Sequence, residues 1–151
     1  MSNQRLQDKV AIVTGAGTHG PMVGTGQATA ILFAQQGAKV LLVDLEIARA
    51  EETQSTIEAD GGQASVFQAD VTQESSCHAM VDICLERYGA LHILFNNVGT
   101  GGPGMVTEVE DAVWNRALDG NLKSAVLACK YAVPKMSDAG GGAIINVSSI
   151  D

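Results

Sequence analysis

Val10-Ala-Ile-Val-Thr-Gly-Ala-Gly-Thr-His-Gly-Pro-Met-Val-Gly-Thr-Gly26 is the stretch from which the fold is read. Its first four residues, Val10 to Val13, form a short apolar run of the kind that becomes a buried strand. Gly15, Gly17, Gly20, Gly24 and Gly26 follow, and an alanine-rich helical pattern then runs from Gln27 to Gln36. Strand, glycine loop and helix in this order is the context in which a Gly-x-Gly pattern points to a dinucleotide. Glycine lets the backbone turn tightly and approach a pyrophosphate. The unpaired N–H groups and positive dipole end of the helix then face that charge. An ordinary glycine-rich strand-to-helix turn has the same local composition, so the remaining strand ends decide between the two.

The 151 residues predict one domain, 1–151, long enough to bury a core, and 46% hydrophobic content argues against disorder. A net charge of −8 with no Lys/Arg cluster argues against nucleic acid as a partner. No run approaches the ~18 apolar residues of a membrane span, and Met1 to Lys9 lacks a signal-peptide core. A cytoplasmic chain is expected, with no membrane partner. Cys77, Cys84 and Cys129 are odd in number without a C-x-x-C pair, and read as reduced thiols. His19, His78 and His92 lack ligand spacing, so no metal site is expected.

Further strands are predicted at 39–43, 64–68, 92–95 and 143–147, each following a helical segment. Helices are expected over about 24–36, 46–59 and 73–88, with two more stretches between about Glu108 and Met136. Ala28, Ile31, Leu32 and Phe33 are the expected apolar side of the first helix. This alternation means an α/β fold with a parallel sheet. Right-handed crossovers make it a Rossmann-type doubly wound sheet with ligands at the carboxyl ends of its strands. Gly15/Gly17, Asp44, Asp70, Asn96/Asn97 and Ser148/Ser149 all fall at such ends. A flavodoxin-like five-stranded domain fits less well, given the glycine loop after strand one and Asp44 after strand two.

With those positions in order, the whole chain resembles the short-chain dehydrogenase/reductase family. The resemblance rests on Thr14-Gly15-Ala16-Gly17, Gly24-Thr25-Gly26, Asp70-Val71, Asn96-Asn97-Val98-Gly99, Asn121-Leu122 and Ile145-Asn146-Val147-Ser148-Ser149. It implies a hydride transfer between a nicotinamide and an alcohol or ketone substrate. Gly15, Gly17, Gly24 and Gly26 would hold the coenzyme, with Asp70 contacting adenine, Val71 walling the ring, and Asn97 and Gly99 beside the ribose. Asn96 would tie neighbouring strands. Ser149, or Ser148 if the register slips by one, would hold the substrate oxygen, and Asn121 would organise a proton relay. Asp44 can accept both adenosine-ribose hydroxyls and would repel a 2′-phosphate. With Arg49 read as a helix residue away from the strand end, NAD is favoured over NADP. Members of the family often form homodimers and homotetramers through helices that include the one carrying Asn121.

Two departures shape the expectations. Matching Gly24-Thr-Gly26 to the family's glycine pair requires about five inserted residues within Thr18 to Val23. The other register, Gly15-x-Gly17-x-x-Gly20 with Pro21 opening the helix, would leave glycines inside that helix at ~1 kcal/mol each. His19 then reads as a solvated loop residue. Secondly, the family's Tyr-x-x-x-Lys falls about a dozen residues beyond the serine, past Asp151. Tyr131-Ala-Val-Pro-Lys135 precedes the serine, and Pro134 disturbs the turn that would align Tyr131 with Lys135, so it reads as a decoy. The resemblance thus implies the amino-terminal, cofactor-binding portion of an NAD-dependent enzyme, inactive alone, with strand five left as an apolar edge. The competing reading is a non-catalytic nucleotide-binding or interaction module complete at this length.

Overall fold

β1 (Val10–Thr14) is buried along its whole length, as its run of apolar and β-branched residues demands. It forms the centre of a five-stranded, all-parallel sheet with β2 (Lys39–Asp44), β3 (Gln63–Gln68), β4 (Ile93–Asn96) and β5 (Ala143–Asn146), in the order β3-β2-β1-β4-β5. The computed structural model describes residues 4–102 and 104–149. Residues 1–3 of the expected leading segment, Pro103 of the Gly/Pro loop, Ile150 and Asp151 lie outside them.

Side chains alternate across the sheet, so each face has its own core. Val10 and Ile12 join Leu41, Val43 and Leu94 beneath α3 (Glu74–Tyr88) and α5 (Ser124–Asp138). Val13 joins Val40, Leu42 and Phe95 beneath α1 (Thr25–Gln35) and α2 (Ile47–Ala59). The doubly wound α/β architecture is therefore as expected. The apolar side of α1 is so only in part: Ile31 and Phe33 pack half-buried on the core, Leu32 is exposed, and the fully buried residues are Gly26, Ala30 and Ala34. Small residues let the helix lie close to the sheet, and larger side chains reach around it, as where Phe33 meets Phe95 edge-on at 6.1 Å.

The helical stretch after the Gly/Pro loop is one continuous rod. α4 (Asp111–Leu118) passes through a π-helical turn, Asp119–Lys123, directly into α5. Pro134 does not end α5, which continues to Asp138. It stands on the exposed side, where water can satisfy the Lys130 carbonyl that loses its N–H partner. β5 has β4 as its sheet neighbour, and Ile144, Ile145 and Val147 are exposed along and just beyond it. No helix among the described residues is long and apolar enough to cross a membrane.

Candidate coenzyme and active site

β1 is flanked by β2 on one side and β4 on the other, so the winding reverses beside it. Such a reversal leaves a crevice outside the carboxyl ends of the strands. The chain leaves β1 through Gly15, at φ +61°, and the first turn of α1 packs on that bend. A Cβ at Gly26 would stand 2.1 Å from the Gly15 carbonyl oxygen and 2.6 Å from Asn97 Nδ2. Only glycine lets α1 begin there. The helix opens at Gly24 without a side-chain cap, and its first N–H groups have no intrahelical acceptors. Gly20 belongs instead to a small hairpin closed by an antiparallel bridge between His19 and Met22. The packing of Gly26 on Gly15 thus selects the Gly24-Thr-Gly26 register over the one ending at Gly20.

Asp44, at the end of β2, is 7% exposed. Its Oδ2 accepts the Gly17 N–H at 2.9 Å and its Oδ1 accepts the Glu46 N–H at 3.0 Å. The carboxylate is thereby fixed against the glycine loop. A Cβ at Gly17 would fall 2.7 Å from Asp44 Oδ2 and 2.6 Å from Arg49 Cβ. Arg49 consequently stands beside the strand end rather than away from it, because α2 turns back over the loop. Its Nη2 pairs with Glu46 at 2.9 Å, and its Nη1 donates to His19 Nδ1 at 3.1 Å. His19 is thus exposed, as expected of a loop residue, and also anchored on α2 through Arg49. Thr53, fully buried on α2, donates to the Ala16 carbonyl at 2.8 Å and holds the loop from below.

On the other side of the crevice, the ends of β1 and β4 are tied together. Thr14 Oγ1 accepts the Asn97 N–H at 3.1 Å, and Asn97 Nδ2 donates to the Gly15 carbonyl at 3.1 Å. Asn96 points the opposite way and donates to Asn146 Oδ1 at 2.9 Å, joining β4 to β5. Asn121 lies in the π turn, where its Nδ2 donates to the Thr100 carbonyl at 2.7 Å and its Oδ1 accepts the Thr100 N–H at 3.1 Å. Gly99 passes beneath that amide, and a Cβ there would be 2.9 Å from Asn121 Oδ1. π turns frequently mark functional positions in helices. Asn97, Val98, Gly99, Asn121, Ser148 and Ser149 together line one open cleft of about 540 Å³. The two serines reach it because the Val147 N–H bonds the Asn96 carbonyl and carries the chain past the end of β5.

Asp70 ends the segment after β3. The Thr72 hydroxyl, 2.6 Å from Oδ1, holds its carboxyl below the usual carboxylate range against the opposing effect of burial. The Thr72 N–H bonds the same oxygen. Val71 is buried in the core under α3, so its side chain offers a ligand only a narrow rim. The sequence does not signal the roles of Thr53 and Thr100, and it sets Arg49 too far from the strand end, because helix-borne contacts to a loop leave no local pattern. The role of Thr14 has a signal, its place immediately before the first glycine.

The family model for short chain dehydrogenase matches residues 9–151. The chain belongs to that family. It is 38% identical over 151 residues to cyclohexanol dehydrogenase of Acinetobacter sp. (strain SE19), covering 99% of this chain and 58% of that protein. With 7alpha-hydroxysteroid dehydrogenase of Escherichia coli (strain K12) it shares 35% identity over 148 residues, 98% of this chain and 56% of the other. A crystal structure of hydroxysteroid dehydrogenase from Escherichia coli superposes with a TM-score of 0.90 at 35% identity, covering 99% of this chain and 61% of that one. The chain spans somewhat over half the length of these relatives.

Neither tyrosine of this short-chain dehydrogenase chain reaches the cleft. Tyr88 donates to Ser65 Oγ at 2.7 Å, and burial raises the pKa of its phenol. Tyr131 donates to Glu74 Oε1 at 2.7 Å and stacks on His78 with ring centres 4.7 Å apart. The hydrogen bond to Glu74 raises its pKa, the wrong direction for a proton donor working near neutrality. The cation beside Tyr131 is Lys130, which also contacts Glu74. Tyr131 therefore serves, with Lys130, to fasten α5 to α3 through Glu74.

Proposed function

We propose that this chain binds NAD across the ends of β1, β2 and β4 and forms the coenzyme-binding part of a dehydrogenase acting on an alcohol or ketone. The observation that carries the reading is the fixed Asp44 carboxylate, bonded to Gly17 on the rim of the glycine loop. An acceptor there suits the 2′- and 3′-hydroxyls of an adenosine ribose and opposes a 2′-phosphate. The donor set fits the remainder of a dinucleotide. Gly24 and Gly26 bring the amino end of α1 to a pyrophosphate without a side chain in between. Asp70 and the rim of Val71 would flank the adenine, and Asn97 and Gly99 the second ribose.

Bound NAD would supply the hydride acceptor. Ser149, with Ser148 beside it, would hold the substrate oxygen, and Asn121, whose two amide hydrogens go to the Thr100 and Ala117 carbonyls, would accept a water proton at the remaining lone pair of its Oδ1. With Tyr88 and Tyr131 engaged elsewhere, the 151 residues would bind coenzyme without turnover, since the reacting oxygen lacks a phenol to exchange its proton.

Fluorescence titration of the purified chain tests this directly. NADH should bind about tenfold more tightly than NADPH, a difference of about 1.4 kcal/mol, and Asp44→Asn should narrow the gap. Equal affinities in the unmutated chain would overturn the assignment of NAD.

A further inference from the structure

Arg49 places a guanidinium beside the carboxylate proposed for the adenosine ribose, a charge opposite in its effect on a 2′-phosphate to that of Asp44. Gly17 touches both residues: a Cβ on it would meet Arg49 Cβ at 2.6 Å and Asp44 Oδ2 at 2.7 Å. A free arginine at that distance from the ribose would attract a 2′-phosphate. Arg49 is not free. Glu46 takes its Nη2 at 2.9 Å, and His19 takes its Nη1 at 3.1 Å. His19 comes from the inserted segment, which is anchored twice more on α2. The Thr18 N–H bonds the Arg49 carbonyl at 3.3 Å, and the Thr18 hydroxyl bonds Glu52 at 2.7 Å. Glu46 pairs with the guanidinium, Asp44 holds the Glu46 N–H and Glu52 takes the Thr18 hydroxyl, so three carboxylates stand with Arg49 on this rim.

We propose that His19 and Glu46 are specificity-positioning residues that hold Arg49 out of the coenzyme's 2′ position, so that the inserted hairpin masks a latent 2′-phosphate site. The proposal rests on the NAD reading above. The hairpin is then part of coenzyme discrimination and not a passive insertion. Discrimination has two parts, the charge of Asp44 and the sequestration of Arg49, and the second can be removed without touching the first. Glu46 neutralises the guanidinium and orients it along α2. His19 fills the N–H that would otherwise point over the glycine loop.

The test measures NADH and NADPH dissociation constants by fluorescence for the wild-type chain, His19→Ala, Glu46→Gln and the double variant. Asp44→Asn is measured alongside, and melting temperatures verify folding. Release of Arg49 should tighten NADPH binding several-fold in each single variant and about tenfold in the double, while NADH changes less than about threefold. His19→Asn, which keeps an acceptor near the position of Nδ1, should restore the wild-type ratio. Adding Arg49→Ala to the double variant should abolish the gain. A merely structural hairpin would weaken both coenzymes together. An unchanged NADPH/NADH ratio in the double variant, with wild-type preference for NADH still sensitive to Asp44→Asn, would overturn the masking of Arg49 and leave the NAD reading intact. A gain that persists without Arg49 would overturn it too. Failure of the wild-type chain to bind either coenzyme would instead overturn the NAD reading itself, and the masking with it.

Discussion

Replacing Gly26 with alanine tests the geometry on which the crevice depends. The added methyl would sit 2.1 Å from the Gly15 carbonyl oxygen and 2.6 Å from Asn97 Nδ2. The nearer atom is backbone, held at the end of a fully buried strand, and cannot swing aside as a side chain can. Relief requires α1 to move outward by about an ångström, against the packing of Ala30 and Ala34. Overpacking of this kind costs about 1–3 kcal/mol, and a backbone obstacle places Gly26→Ala in the upper half of that range. For a chain of this size each kcal/mol lowers the melting temperature by about 2–4 °C, so a fall of about 4–12 °C is expected. Gly24→Ala is the control. Gly24 has φ −75° and ψ 158°, open to any residue, and the nearest atom to its added methyl is His19 Cδ2 at 3.8 Å. It should lose about 1 kcal/mol or less, as the weaker N-cap. Differential scanning fluorimetry of the three proteins is sufficient. A Gly26→Ala chain melting within a degree of wild type would mean that α1 does not pack on Gly15, and the chosen glycine register would be wrong.

Other outcomes follow from single contacts. Thr53→Val removes the donor that satisfies the buried Ala16 carbonyl and should cost about 1–3 kcal/mol, read as a lower urea midpoint. Spectrophotometric titration should find both tyrosines ionising above the ordinary value of about 10, Tyr88 through burial and Tyr131 through its bond to Glu74. Glu74→Gln removes a negative charge that disfavours the phenolate, so it should move one of the two transitions downward; a tyrosine titrating between pH 6 and 9 would contradict the placement of Tyr131.

The centre of the sheet is legible in the sequence because β1 and β2 are covered on both faces. Val10–Thr14 and Lys39–Asp44 are near-continuous apolar runs, and no other element accommodates such runs at that length. Polar residues that interrupt the pattern at strand ends mark the crevice, and Asp44, Asn97 and Ser149 stand around it, joined by Asn121 from the π turn. What escaped notice depends on partners distant in sequence. Leu32 outranks Ala30 in hydropathy, yet the closeness of α1 to the sheet buries the alanine. Pro134 is expected to disturb its turn because its local chemistry forbids one hydrogen bond; exposure of the orphaned carbonyl lets α5 continue through it to Asp138. Arg49 was misjudged because α2 folds back over the loop, which only the β2–α2 connection fixes.

The π turn at Asp119–Lys123 has a consequence for insertions and deletions in this family of sequences. The widened turn takes up one residue more than an α turn, so a single loss there can be absorbed, whereas within α5 each residue advances the azimuth by about 100° and a loss cannot. Ser124, Ala128, Ala132 and Met136, now turned inward as one row, would then swing toward water. Length variation in the hairpin at 18–23 should therefore leave the fold standing and alter only the hold on Arg49, whereas within α5 it should break the packing of the helix on the sheet.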